Sequence, residues 1–208
     1  MKEATTRTTH DLIRQMVFNA VFAALLCVLS PLAIPIGPVP ISLGLFAVLL
    51  TGVSLRPRDS AQVILLYLVL GAFGLPVFSR GAGGAQVLIG PTGGYLWSYL
   101  LVAPAVGLLH RFSPQPLRTV SSDRNRDEDL PPRRRILLHS AALVWDFLAC
   151  LIGVALCYTG GTIQYCLISH TPPVAAMAAC VWPFIPFDLL KSFLAVVIGR
   201  RIRALLNR

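Results

Sequence analysis

Residues 16–36 read MVFNAVFAALLCVLSPLAIPI, an apolar run in which Asn19 and Ser30 are the only polar side chains. Arg14 lies just before it. The run is longer than the apolar region of a secretory signal peptide, and no A-x-A-like cleavage site follows it. We therefore interpret it as a retained membrane-spanning helix, and similar apolar stretches recur along the chain.

The composition agrees with a membrane protein. Of the 208 residues, 55% are hydrophobic and only 13% are charged, against about a quarter in a typical soluble domain. The mean hydropathy is +0.71. Lipid is thus the expected solvent, and we predict one integral membrane domain over residues 1–208.

The net charge of +9 is confined to a few places. Of the 18 Lys and Arg, 16 fall in an N-terminal tail (1–14), a tight turn (56–58), a polar loop (112–135, with Arg111 just before it) and a C-terminal tail (200–208). Cytoplasmic loops collect basic residues, so we place all four segments and both termini on the cytoplasmic side of the cell membrane. We predict that the 112–135 loop is disordered. The basic segments lack interleaved aromatic residues, so nucleic acid is not an expected partner.

Proline and glycine divide the apolar stretches into about six transmembrane helices, which makes the fold class an all-α membrane protein. We expect residues 159–173 to form an outer loop and residues 174–182 to form a separate kinked piece. The last helix should begin near Pro183 or Pro186. The first five predicted helices are 16–36, 41–55, 60–75, about 95–109 and 136–158, and the sixth runs from Pro183 or Pro186 to residue 200.

A glycine-rich outer loop, the glycine-rich segment (residues 74–94), joins the third and fourth predicted helices. Glycine allows φ > 0 and close backbone approach, so this loop is a candidate for covering a ligand. It lacks the G-K-[ST] ending of a phosphate loop and follows no predicted strand. The candidate ligand-binding residues here are Gly83, Gly84, Gly90, Thr92, Gly93, Gly94 and Tyr95.

Four charged residues lie away from the basic segments: Arg80, Asp146, Asp188 and Lys191. A charge within a spanning helix costs about 2.5 to 3.5 kcal/mol on insertion scales, so each is a functional candidate. Asp188 and Lys191, spaced i and i+3, share one helix face and form either a structural ion pair or part of a ligand site. Asp146 is expected to make a structural hydrogen bond to a neighbouring helix. Arg80 either meets an anionic ligand group or is solvated.

Small residues mark one face of the first helix. Ala20 and Ala24 are four apart, a spacing that permits close helix packing in lipid, either within the chain or with a partner. The five cysteines form no C-x-x-C pair, and the four histidines have no metal-ligand spacing. We expect no metal and no cofactor.

Four blocks of sequence, taken together and in order, resemble the BioY family, the biotin-specific S component of energy-coupling-factor (ECF) transporters. They are residues 36–42 (IGPVPIS), 71–78 (GAFGLPVF), 90–95 (GPTGGY) and 183–191 (PFIPFDLLK). The likeness covers about residues 15–200. Two features depart from the family: the 112–135 loop is longer and more charged, and Phe187 stands where glycine is common.

The resemblance implies six helices, biotin bound near the outer face, and uptake driven by two ATPase subunits through a transmembrane coupling subunit. It also implies that the alanine face of the first helix, here Ala20 and Ala24, docks on that subunit. Biotin has a ureido ring with two N–H donors and one carbonyl acceptor, an apolar thiolane and chain, and a carboxylate. On this hypothesis Asp188 accepts from a ureido N–H, and Lys191 donates to the ureido carbonyl or to the carboxylate.

Two alternatives stay open from the sequence. One is an intramembrane enzyme that uses Asp146 and Asp188 as an aspartyl pair, which would require contact between the two carboxyl groups. Against it, Lys191 beside Asp188 favours the ionised carboxylate over a shared proton. The other is an S component for a different vitamin. A purely structural scaffold would leave the glycine-rich loop without purpose.

Overall fold

The structure is a computed structural model that describes residues 2–34, 39–113 and 132–206, with side chains for 12–34, 39–113 and 137–205. Most of the predicted disordered loop (114–131) and the Ile36-Gly37-Pro38 part of the first family block lie outside the described residues. The elements in chain order are α1 Lys2–Leu29, β1 Ala33–Ile34, β2 Ile41–Ser42, α2 Gly44–Ser54, α3 Pro57–Ala72, a 3-10 turn Ser79–Gly81, α4 Ala85–Ile89, α5 Gly93–Arg111, α6 Pro132–Ser169, α7 Pro173–Cys180 and α8 Ile185–Leu206.

The prediction of an all-α membrane protein is confirmed. In the described part of the chain, the Leu12–Leu29 portion of α1 and the Leu137–Ser169 portion of α6 are long and apolar enough to cross a membrane. Helices α7 and α8, bent by 56° at a short break, form a third such unit if they are taken together. The longer helices α1, α2, α3, α5, α6 and α8 follow the order of the six predicted helices, and six as the number of spans stays a prediction.

Helix α2 is the centre of the bundle. It has 11 residues, and all except Phe46 are buried. Glycines let the neighbouring helices approach closely: a Cβ at Gly52 would lie 2.7 Å from the carbonyl oxygen of Ala103, and one at Gly153 would lie 2.8 Å from Val106. Such small-residue contacts are the usual means of packing helices in lipid, where the hydrophobic effect does not drive helices together.

The predicted outer loop at 159–173 is wrong in most of its length, because α6 continues as a helix to Ser169. The reason is packing. A Cβ at Gly160 would collide with the Ser98 side chain, and one at Gly161 would collide with the Tyr95 ring, both on α5. The glycines that suggested a loop instead let α6 lie close against α5, at an intrinsic cost of about 1 kcal/mol each.

Several helix ends also differ from the sequence-based prediction. Helix α1 begins at Lys2, within the predicted tail, and ends at Leu29, because Pro31 disfavours helical backbone in the residue before it. The strand Ala33–Ile34 pairs antiparallel with Ile41–Ser42, so α2 starts at Gly44 rather than at residue 41. The segment 132–135, predicted as part of the disordered loop, is the first turn of α6.

Other boundaries are confirmed or shift only slightly. Helix α3 starts at Pro57, a residue suited to the first helical position. The negative charge of Asp59 in its first turn interacts favourably with the positive end of the helix dipole. Helix α8 starts at Ile185, within the predicted interval, and Pro173–Cys180 forms the expected separate piece. The glycine-rich segment is a loop that contains the 3-10 turn and α4.

Candidate ligand-binding site

A buried ion pair stands at the start of α8. The Nζ of Lys191 donates to Oδ1 of Asp188 at 2.9 Å, and the Tyr158 hydroxyl on α6 donates to Oδ2 at 2.6 Å. Asp188 is 3% exposed and Lys191 is 8% exposed. The predicted pairing on one helix face is therefore confirmed, and a tyrosine from a second helix completes it.

The bend between α7 and α8 gives this pair its position. The backbone N–H of Asp188 donates to the carbonyl of Phe184 at 2.9 Å, so Asp188 lies in the first turn of α8. The positive end of a helix stabilises a carboxylate there. Helix α7 meets α8 at 56°, so the two helices are not collinear. The first turn of α8 therefore faces a cavity.

The cavity has a volume of about 240 Å³, and both members of the ion pair line it. Its walls are apolar and aromatic with a few polar groups, the usual character of a small-molecule site. The lining residues come from the end of α1, the β1–β2 region, α2 (Leu45), the glycine-rich segment and helices α5 to α8. Its aromatic wall consists of Phe78, Tyr95, Tyr99, Tyr158 and Phe184.

Arg80 contributes a second cationic group to the cavity lining. Its backbone has φ 62°, a left-handed conformation that is uncommon outside glycine, and its N–H donates to the Pro31 carbonyl at 3.2 Å. The side chain is exposed, and its guanidinium makes no ion pair or hydrogen bond with the described residues. The loop backbone thus holds Arg80 at the cavity while its charge stays available.

Three serines, Ser30, Ser42 and Ser79, add uncharged polar groups to the lining. Ser30, at the end of α1, shares a 2.7 Å hydrogen bond with the buried hydroxyl of Tyr67 on α3. The Ser79 hydroxyl is buried and has no hydrogen-bond partner in the described part of the chain. A buried polar group without a partner is costly, so a ligand that bonds to Ser79 would remove that cost.

The five glycines predicted to contact a ligand, Gly83, Gly84, Gly90, Gly93 and Gly94, are not in the cavity wall; of the predicted loop residues, Arg80, Thr92 and Tyr95 line it. The glycines pack against protein instead. A Cβ at Gly83 would meet the Gly74 carbonyl oxygen at 2.8 Å, and one at Gly94 would meet the Gly160 backbone. The sequence indicates a permissive backbone, but only the fold determines which surface uses it.

Helix α6 holds the glycine-rich segment in place. The side-chain amide of Gln164 donates to the carbonyls of Leu88 at 3.0 Å and Gly90 at 2.8 Å. Both carbonyls lie at the end of α4, where helical partners are missing. This contact exists only because α6 extends past residue 158.

Sequence reasoning missed the uncharged polar residues of the cavity. Tyr158, Ser30, Ser42 and Tyr99 were not singled out, because hydroxyl side chains are common in apolar helices and carry no insertion penalty comparable to a charge. One signal pointed to such a residue. A buried Asp188 needs hydrogen bonds beyond the one from Lys191, so a donor on another helix, here Tyr158, was to be expected.

Asp146 belongs to a different cluster. It is fully buried, with Oδ1 at 2.7 Å from Nδ1 of His110 on α5 and Oδ2 at 2.7 Å from the guanidinium of Arg200 on α8. The predicted hydrogen bond to a neighbouring helix is confirmed. The oxygens of Asp188 face Lys191 and Tyr158, so the aspartyl pair of the enzyme alternative is not formed. Within the described residues, no three His, Cys, Asp or Glu side chains are grouped as metal ligands.

Apolar helices around a cavity with a buried ion pair define a class: an integral membrane protein that holds a small ligand between its helices. The chain belongs to the BioY family, whose sequence profile matches residues 1–208. It is 32% identical to the biotin transporter BioY of Thermotoga maritima, over 93% of this chain and 98% of that one. It is also 32% identical to the biotin transporter BioY2 of Lactococcus lactis subsp. cremoris, over 89% and 88%. A crystal structure described as the S component for biotin from an ECF-type ABC transporter superposes with a TM-score of 0.77 at 26% identity, over 94% of this chain and 93% of that one.

Proposed function

We propose that this protein takes up biotin across the cell membrane as the biotin-binding S component of an ECF-type transporter. It is a transport protein and not an enzyme, and ATP hydrolysis is left to partner subunits. The observation that carries the proposal is the cavity bounded by the Asp188–Lys191 pair, in a chain that shares family and fold with biotin transporters.

The ion pair suits the ureido ring of biotin. Asp188 offers carboxylate oxygens to a ureido N–H, and Lys191 offers N–H donors to the ureido carbonyl. The pair brings no net charge, so it matches a neutral ring that carries both donors and an acceptor. Tyr158 keeps the carboxylate oriented through its 2.6 Å hydrogen bond, and the aromatic wall contacts the apolar thiolane.

Arg80 suits the carboxylate at the other end of biotin. Lys191 is already balanced by Asp188 at 2.9 Å, whereas the Arg80 guanidinium has no partner among the described residues. An arginine at an exposed position also loses little hydration when it meets a carboxylate. Biotin therefore lies with its ring at α8 and its acyl chain toward the glycine-rich segment. Thr92 and Tyr95 line the intervening wall.

The partner subunits attach through α1. Ala20 and Ala24 are exposed, whereas the adjacent Ala23 is buried in the bundle. The exposed small-residue face allows another helix to approach closely, and a transmembrane coupling subunit that carries two ATPases is the occupant that the ECF system supplies. Both termini then lie on the cytoplasmic side, and the cavity opens toward the outside.

Calorimetry with purified protein in detergent tests the assignment and the ligand orientation together. Biotin should bind with high affinity. Desthiobiotin, which keeps the ureido ring and carboxylate, should bind less tightly because it leaves the aromatic wall partly unfilled. Biotin methyl ester has no carboxylate, so its affinity should fall only by the contribution of the contact with Arg80. If biotin gives no heat and another vitamin does, the ligand assignment is wrong and the transporter class remains.

A further inference from the structure

The cluster of His110, Asp146 and Arg200 plays no part in the proposed ligand contacts, yet it joins three helices. Asp146 on α6 is bound on one side by His110 of α5 and on the other by Arg200 of α8, both at 2.7 Å. One turn further along α8, the guanidinium of Arg203 donates to the Val53 carbonyl of α2 at 3.0 Å. The end of α8 that lies away from the cavity is thus tied directly to α6 and α2, and through Asp146 to α5.

The spacing of this cluster matches that of the cavity ion pair. Twelve residues separate Asp146 from Tyr158 in α6, and twelve separate Asp188 from Arg200 in α8. At 1.5 Å per residue both intervals span about 18 Å. Since Asp146 meets Arg200 and Tyr158 meets Asp188, the two helices run antiparallel with both polar contacts in register. A slide of α8 along α6 by one turn would break both contacts.

The bend before α8 makes that register important. The first turn of α8 carries Asp188 and Lys191, but α7 does not continue into it as a straight helix. Among the described residues, one hydrogen bond, from the Tyr158 hydroxyl, holds the cavity end of α8 to α6. A fully buried carboxylate held between an arginine and a histidine is a stringent constraint, because displacing Arg200 leaves a buried charge unpaired.

We propose that Asp146 and Arg200, with His110, are positioning residues for the ligand site: they set the axial register of α8 on α6 and so fix where Asp188 and Lys191 meet the cavity. The inference rests on the proposed biotin site. It predicts that a substitution at Arg200, about 18 Å along α8 from Asp188, lowers biotin affinity without touching any lining residue.

The test compares three variants in detergent by calorimetry and thermal unfolding. Arg200→Met should weaken biotin binding about tenfold or more, the range expected for one hydrogen bond to a charged group. The double variant Asp146→Asn with Arg200→Gln replaces the ion pair by a neutral hydrogen-bonded pair and should restore affinity to within about threefold of the native protein. Val106→Ala is the matched control, because it removes buried packing atoms between α5 and α6 without altering a polar contact.

Val106→Ala should lower the melting temperature and leave biotin affinity unchanged. The inference is overturned if Arg200→Met binds biotin normally, or if both single variants lose affinity in proportion to their loss of stability. It is equally overturned if the double variant melts like the native protein but binds as weakly as Arg200→Met. The proposed function is tested separately, by biotin binding to the native protein and to Lys191→Ala, a variant of the proposed site. If the native protein does not bind biotin, the proposed function is contradicted instead.

Discussion

Replacing Lys191 should damage biotin binding far more than replacing Arg80, although both are cations of the cavity lining. The structural difference is burial. Lys191 Nζ lies 2.9 Å from the Asp188 carboxylate, and the pair is almost fully enclosed, whereas Arg80 is exposed and unpaired among the described residues. Lys191→Ala removes one partner of a buried pair and leaves Asp188 with the Tyr158 hydroxyl alone.

The magnitude follows from that geometry. Breaking a buried ion pair by removing one partner costs about 3 to 5 kcal/mol. The melting temperature of Lys191→Ala should fall, and biotin affinity should fall by about two orders of magnitude if some 3 kcal/mol appears in binding. Arg80→Ala removes an exposed charge contact worth at most about 1 kcal/mol, so affinity should fall by less than about tenfold and the melting temperature should not change.

Calorimetry and thermal unfolding of both variants check this prediction. Lys191→Met, which keeps much of the side-chain volume, separates lost charge from lost packing. The double variant Asp188→Asn with Lys191→Met removes the buried charge altogether, so it should regain stability but not biotin affinity. The reasoning would be refuted if Arg80→Ala were the more damaging variant, or if the double variant bound biotin normally; the ion pair would then be structural only.

Three further predictions concern other parts of the bundle. Tyr158→Phe should weaken biotin binding about tenfold and also lower the melting temperature, since it removes one hydrogen bond to a buried carboxylate that is already formed in the free protein; equal affinity would show that the hydroxyl does not orient the site. Gly161→Ala regains about 1 kcal/mol of helix propensity but overpacks against the Tyr95 ring of α5, so the protein should be destabilised by a net of up to about 2 kcal/mol; an unchanged melting temperature would contradict the close helix contact. Replacing Ala20 and Ala24 together by Leu should leave affinity and stability intact but abolish uptake and co-purification with a coupling subunit, whereas Ala23→Leu, a buried control, should lower stability; normal uptake by the double variant would remove this face as the docking surface.

The class of fold and the charged part of the site could be predicted from the sequence because both depend on strong local signals. Uninterrupted apolar runs indicate membrane helices, and a charge within them is costly enough to stand out. Asp188 and Lys191 were identified for that reason, and proline at 172, 173, 183 and 186 was enough to separate α7 from α8.

The glycines were harder to interpret, because glycine permits several structures and selects none of them. At Gly160 and Gly161 it allows a helix to approach another helix, where the sequence suggested a loop. At Gly83 and Gly94 it allows packing against backbone, where the sequence suggested ligand contact. In each case the deciding factor is the neighbour across the contact, which no local pattern encodes.

The remaining part of the site depends on which uncharged group meets each buried charge. Tyr158 reaches Asp188 only because α6 and α8 run antiparallel in one register, and the same register brings Arg200 to Asp146. Arg200 was assigned to the cytoplasmic C-terminal tail (200–208) from its place in a basic segment, yet it lies in α8 and its guanidinium binds a fully buried carboxylate. A single register therefore determines two long-range contacts, and a buried charge that sequence analysis identifies should be treated as evidence for an unidentified partner on another helix.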